Sequence, residues 1–106
     1  MGNQLRGHLD GLVLAALAGS PAHGYAAIAR LRDASEGAFD LAEGTVYPVL
    51  HRLEADGFLA ATFVDVQGRR RKVYALTAAG RAELAEQRYQ WHRFSMSVTR
   101  VIGAPA

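Results

Sequence analysis

In a chain whose apolar residues otherwise recur at helical spacing, one segment alternates only weakly and is rich in β-prone residues on either side of a glycine, as a β-hairpin is. Leu59 to Val66 carries Phe63, Val64 and Val66. Val73, Tyr74 and Leu76 follow after Gln67-Gly68 and an uninterrupted basic run, Arg69-Arg70-Arg71-Lys72. Two β-prone stretches around a glycine-containing turn predict a hairpin. What lies on either side of it then decides the fold.

Before the hairpin there is room for three short helices. Leu5, Leu9, Leu12, Val13, Ala16 and Leu17 make a helical stripe that stops at Gly19. Ser20-Pro21 has the form of an N-cap followed by proline at the first helical position, and Tyr25, Ile28 and Leu31 supply the buried stripe of a second helix ending near Ser35 to Gly37. Phe39-Asp40-Leu41 is a brief strand or an extended linker. A third helix is expected from about Glu43 to Asp56, with Val46, Val49, Leu50 and Leu53 inward and Gly57 as its left-handed cap. Pro48 sits in the first turn if Thr45 is the N-cap, and kinks the helix if it starts earlier. After the hairpin, Thr77 caps a long last helix running to about Ile102, where Gly103 and Pro105 end it.

Helix, helix, helix, hairpin and long helix is the order of a winged helix-turn-helix. The expected fold is mainly α with a small β-hairpin: residues 1–76 form the winged domain and 77–106 a C-terminal dimerisation helix, together one compact unit. The length of 106 residues, half of them hydrophobic, suits one core. The absence of cysteine excludes disulfides, thiolate metal sites and cysteine nucleophiles, and fits a cytoplasmic protein. The start lacks a secretory apolar region, and no apolar run approaches the roughly 20 residues that span a bilayer, so no membrane partner is expected.

The net charge is only +2, but four of the twelve Lys and Arg residues are consecutive. Such a run is either a solvated turn or a phosphate-seeking patch, and the context of a wing favours the second. The outer face of the third helix presents Thr45, Pro48, His51 and Arg52, with Tyr47 on its flank. A helix of this kind fits the major groove of duplex DNA, where N-terminal side chains meet base edges. Arg52 could fork onto a guanine or a phosphate, and Thr45 or Tyr47 could hold a phosphate oxygen. Tyr47 could equally be a half-buried packing residue. On the wing, Arg69, Arg70 and Lys72 are the expected contacts; strand alternation argues against all four cations facing one way.

Along the last helix Leu84, Trp91 and Val98 are seven apart, and Gln87, Phe94 and Val101 form a second series. A helix of about 25 residues is roughly 37 Å long, farther than a domain of this size covers. The expected cover is a second copy of the chain, in an interface comprising Leu5, Leu9, Leu84, Trp91, Phe94, Val98 and Val101. The histidines at 8, 23, 51 and 92 lie on different elements without metal-ligand spacing. No metal or cofactor is expected, and with no nucleophile beside a base, no acidic dyad and no phosphate-cradling loop, no enzyme either.

The ordered motifs Leu5-Arg-Gly-His-Leu-Asp10, Leu12-Val-Leu14, Pro21-Ala-His-Gly-Tyr25, Phe39-Asp-Leu41, Glu43-Gly-Thr-Val-Tyr-Pro48, His51-Arg-Leu-Glu54, Gly57, Gly68-Arg-Arg-Arg-Lys72, Tyr74 and Leu76-Thr-Ala-Ala-Gly80 resemble the PadR family of bacterial transcriptional regulators over nearly the whole chain. The resemblance implies a repressor, less often an activator, that binds a pseudo-palindromic operator on double-stranded DNA as a homodimer. It implies contacts at Thr45, Tyr47 and Pro48, and wing contacts at Arg69, Arg70 and Lys72. The single short C-terminal helix is similar to that of the compact branch, in which an aromatic can line an effector pocket at the dimer centre. Trp91 holds that place, either stacking on a planar apolar small molecule or serving as dimer core. The competing expectation is a winged-helix module that binds proteins and no longer recognises DNA, for which consecutive arginines have no purpose.

Overall fold

The computed structural model describes residues 8–105. Its elements are α1 (Leu9–Ala18), β1 (Ala22–His23), α2 (Gly24–Ala34), α3 (Glu43–Ala55), β2 (Leu59–Val66), β3 (Arg69–Leu76) and α4 (Ala78–Ile102). The chain is mainly helical, with one antiparallel sheet in the order β1-β3-β2. This is a winged helix-turn-helix in which α2 and α3 form the pair and β2–β3 the wing. Leu5, expected in the first helix and in the dimer interface, lies outside the described residues.

The second helix begins later than Ser20-Pro21 predicted. Ser20 is taken by Arg30, whose Nη2 donates to Ser20 Oγ at 2.9 Å while Nη1 donates to the Ser20 and Ala16 carbonyls at 2.7 and 3.0 Å. Ala22 and His23 pair instead with Tyr74 and Val73 of the wing. His23 then caps α2, its Nδ1 accepting from the Ala26 N–H at 3.3 Å. Tyr25 falls in the first turn of the helix and is half exposed, not part of the buried stripe. Phe39-Asp40-Leu41 forms no strand and serves as the linker into α3.

The N-cap of α3 is Ala42, not Thr45, so Pro48 lies inside the helix. The carbonyl of Gly44, four residues back, loses its helical donor there, at a position open to water. Gly57 takes the left-handed conformation expected after the helix, with φ of 84°. Gln67 and Gly68, with φ of 51° and 77°, make the two-residue turn of the wing, and Val66 pairs with Arg69 directly across it.

The core gathers Leu14 and Leu17 of α1, Leu31 of α2, Leu50 and Leu53 of α3, and Tyr74 of β3. Thr77 joins α4 to it: Thr77 Oγ1 accepts from the Gly80 N–H at 3.0 Å and donates to the Gly57 carbonyl at 2.6 Å. Leu84, expected in the dimer seam, is only 4 % exposed and packs into this core, because the first turns of α4 lie against α1. Beyond it α4 projects, and the described residues extend over 53 × 28 × 23 Å.

Candidate nucleic-acid interface

Val46, Val49, Leu50 and Leu53 are all buried, so the inward face of α3 is the one its periodicity predicts. Across the helix, Pro48, His51 and Arg52 are exposed and Thr45 is half-buried. Tyr47 lies on the flank with its ring against Gly24 of α2. It meets Tyr25 and His51 edge-on, at centroid separations of 6.0 and 6.3 Å, and Tyr25 meets His23 at 6.5 Å. Burial first, then the nearby Tyr25 and Glu43, pushes the Tyr47 phenol above its ordinary value, so it stays neutral around pH 7. Tyr47 is thus a half-buried packing residue between α2 and α3, its hydroxyl end lying over the buried Gly24. Tyr25 belongs to the same row and was missed from sequence; the His-Gly-Tyr spacing, with histidine as cap, was the available signal.

Two of the expected contacts are held by carboxylates. The Arg52 guanidinium forks onto Asp10 of α1, Nη1 donating to Oδ2 at 3.0 Å and Nη2 to Oδ1. Lys72 Nζ donates to Glu54 Oε1 of α3 at 2.9 Å and lies 5.2 Å from the centre of the Tyr74 ring. These hydrogen bonds raise both cations above their ordinary values, against a smaller opposing effect of desolvation.

The register of the wing sorts its basic run. Lys72 and Arg70 share the face of the buried Tyr74, and Arg69 and Arg71 share the other. Arg69 and Arg70 are exposed, Arg71 is half-buried, and among the described residues none of the three forms an ion pair. Arg70 lies over the Phe63 ring at 4.6 Å, which orients its guanidinium near the tip. The trio Arg69, Arg70 and Lys72 therefore does not share a face, and Arg71 joins Arg69 where Lys72 was expected.

Along α4, Trp91 and Phe94 are each 51 % exposed, and Val98 and Val101 are exposed beyond them. His8, at the start of α1, stands edge-on to Trp91 at 5.0 Å, and Trp91 and Phe94 lie 5.9 Å apart. Leu9 is half-buried against the core. Among the described residues no three His, Asp or Glu side chains converge to hold a metal ion, and no helix is long and apolar enough to cross a membrane.

A family model described as the transcriptional regulator PadR-like family matches residues 13–86. The chain is similar to Transcriptional regulator Rv3488 of Mycobacterium tuberculosis, 49% identical over 57 residues that cover 54% of this chain and 53% of that protein. The match thus spans about half of that relative's length. Among solved structures, a PadR family transcriptional regulator from Eggerthella lenta is 34% identical with a TM-score of 0.81, over 94% of this chain and 86% of that one. A transcriptional regulator from Clostridium thermocellum has a TM-score of 0.88 at 20% identity, over 96% and 97% of the two chains, and shares the fold.

Proposed function

The chain belongs to the PadR-like family of transcriptional regulators, and from that premise we propose that it is a cytoplasmic repressor that binds a pseudo-palindromic operator as a homodimer and is released by a planar apolar ligand. It is a regulator and not an enzyme. In this reading the N-terminal half of α3 enters the major groove, with Thr45, Pro48 and His51 at base edges and the Tyr47 hydroxyl beside a phosphate. Arg69, Arg70 and Arg71 follow the backbone or the adjacent minor groove, which favours weakly hydrated guanidinium groups.

The exposed apolar half of α4 supports the homodimer, since a second copy covers Trp91, Phe94, Val98 and Val101 along a two-fold axis. Such a pair presents its recognition helices to successive major-groove faces about 34 Å apart. Trp91, with His8 at its edge, supplies an aromatic surface for a planar ligand at that axis.

The observation that carries the reading is the exposed α3 face standing beside a wing whose three arginines have no acidic partner among the described residues. It is tested by titrating a mixed-sequence duplex with the protein at low and physiological salt. Binding that weakens steeply with salt supports the reading, and binding indifferent to salt removes its electrostatic basis.

A further inference from the structure

Helix geometry places Arg52 among the base-reading residues, and the basic run of the wing, like the family resemblance, places Lys72 among the wing contacts. The side chains are arranged otherwise. Arg52 and Glu54 are two residues apart on α3, so they project about 200° from each other around its axis. Arg52 reaches one way to Asp10 of α1, and Glu54 reaches the other way to Lys72 of the wing. A roll of α3 in either direction must stretch one of the two pairs. Lys72 is further fixed by its register, which turns it to the face of the buried Tyr74 and away from that of Arg69.

We infer that Arg52 and Lys72 are positioning residues that set the rotation of the recognition helix between α1 and the wing, and not contacts to DNA. The inference rests on the DNA-binding reading above for its consequence, but the pairs themselves exist in the free chain. Both pairs remain partly open to water, where ion pairs contribute little to stability, so their effect is to be sought in how well α3 is aimed. A competing role is distinguishable by sign. If Asp10 and Glu54 merely mask cations that move to phosphates on binding, then removing either carboxylate strengthens binding; if they aim the helix, it weakens binding.

The test uses Asp10→Asn, Arg52→Gln, Glu54→Gln and Lys72→Gln in the full chain. Affinity is measured against salt for the duplex most enriched from a random library and for a mixed-sequence duplex, with Arg69→Gln as reference. The expected result is that all four weaken binding to the enriched duplex by about two- to fivefold and leave the salt slope on mixed sequence unchanged, whereas Arg69→Gln lowers that slope by about one. Tighter binding by Asp10→Asn or Glu54→Gln overturns the inference, as does a slope lowered by about one in Arg52→Gln or Lys72→Gln.

Thermal melting of the free protein gives an independent readout. Within each pair the two substitutions are expected to lower the melting temperature by about 1 to 4 °C without adding together. Additive losses overturn the pairing. A flat salt dependence in the unaltered protein contradicts the DNA-binding reading itself, and the melting cycle still decides whether the pairs exist.

Discussion

Gly24 is the floor beneath the Tyr47 ring: a Cβ built on Gly24 falls 2.4 Å from Tyr47 Cζ and 2.5 Å from its hydroxyl oxygen. Gly24 opens α2 and Tyr47 lies in α3, so this contact fixes how closely the two helices of the helix-turn-helix pair approach. No larger residue fits unless the tyrosine moves.

Gly24→Ala is therefore expected to displace the Tyr47 ring while preserving the fold, because the far end of an aromatic side chain can give way. The expected loss is about 1–3 kcal/mol in thermal or denaturant unfolding, with weaker duplex binding. Adding Tyr47→Leu should recover much of the stability and none of the binding.

Gly80→Ala presses on something less yielding. Its Cβ would lie 2.0 Å from the Phe58 carbonyl oxygen, where the first turn of α4 meets the start of the wing. Backbone must shift on one side or the other, and unfolding measurements should show a loss of about 3 kcal/mol. Thr77→Ala, which removes both the α4 cap and the tie to the Gly57 carbonyl, is expected to lose about 1 kcal/mol, and Thr77→Ser much less.

The wing arginines should act through charge alone. Arg69→Gln and Arg70→Gln are each expected to weaken binding to all duplexes to a similar degree and to lower the salt slope by about one for each phosphate left unneutralised. A change in sequence preference without a change in slope would assign them to base reading instead.

The two parts of α4 should respond differently to substitution. Trp91→Ala and Val98→Asp are expected to shift the protein toward monomer in sedimentation while each chain keeps its fold, since both side chains are exposed in the single chain. Leu84→Ala removes a core side chain and is expected to lower the stability of the chain itself by about 2–5 kcal/mol.

Most of the architecture was legible because its signals are local. Four inward residues of α3, a left-handed Gly57 and a threonine cap each follow from spacing or from one residue's chemistry; the hairpin was legible too, but its second strand starts at Arg69 and takes in the basic run expected in the turn. What escaped depends on partners distant in sequence. Ser20-Pro21 has the form of a helix start, but Arg30 occupies that serine and the wing draws Ala22 and His23 into a strand. The outer face of α3 was legible as a face, yet the engagement of Arg52 depends on Asp10, 42 residues away. The seven-residue series through Leu84 has the same period whether a residue meets the chain's own α1 or another copy, so periodicity could not separate the buried Leu84 from the exposed Trp91.

Selection of bound sites from a random duplex library tests the central claim most directly, because it reports DNA recognition and subunit geometry together. The expected result is a motif with two-fold symmetry whose half-sites lie about one helical turn, roughly 10 base pairs, apart or a multiple of that spacing. Enrichment of a single asymmetric site, or no enrichment over the starting library, would contradict a pair of recognition helices carried by two chains joined along α4.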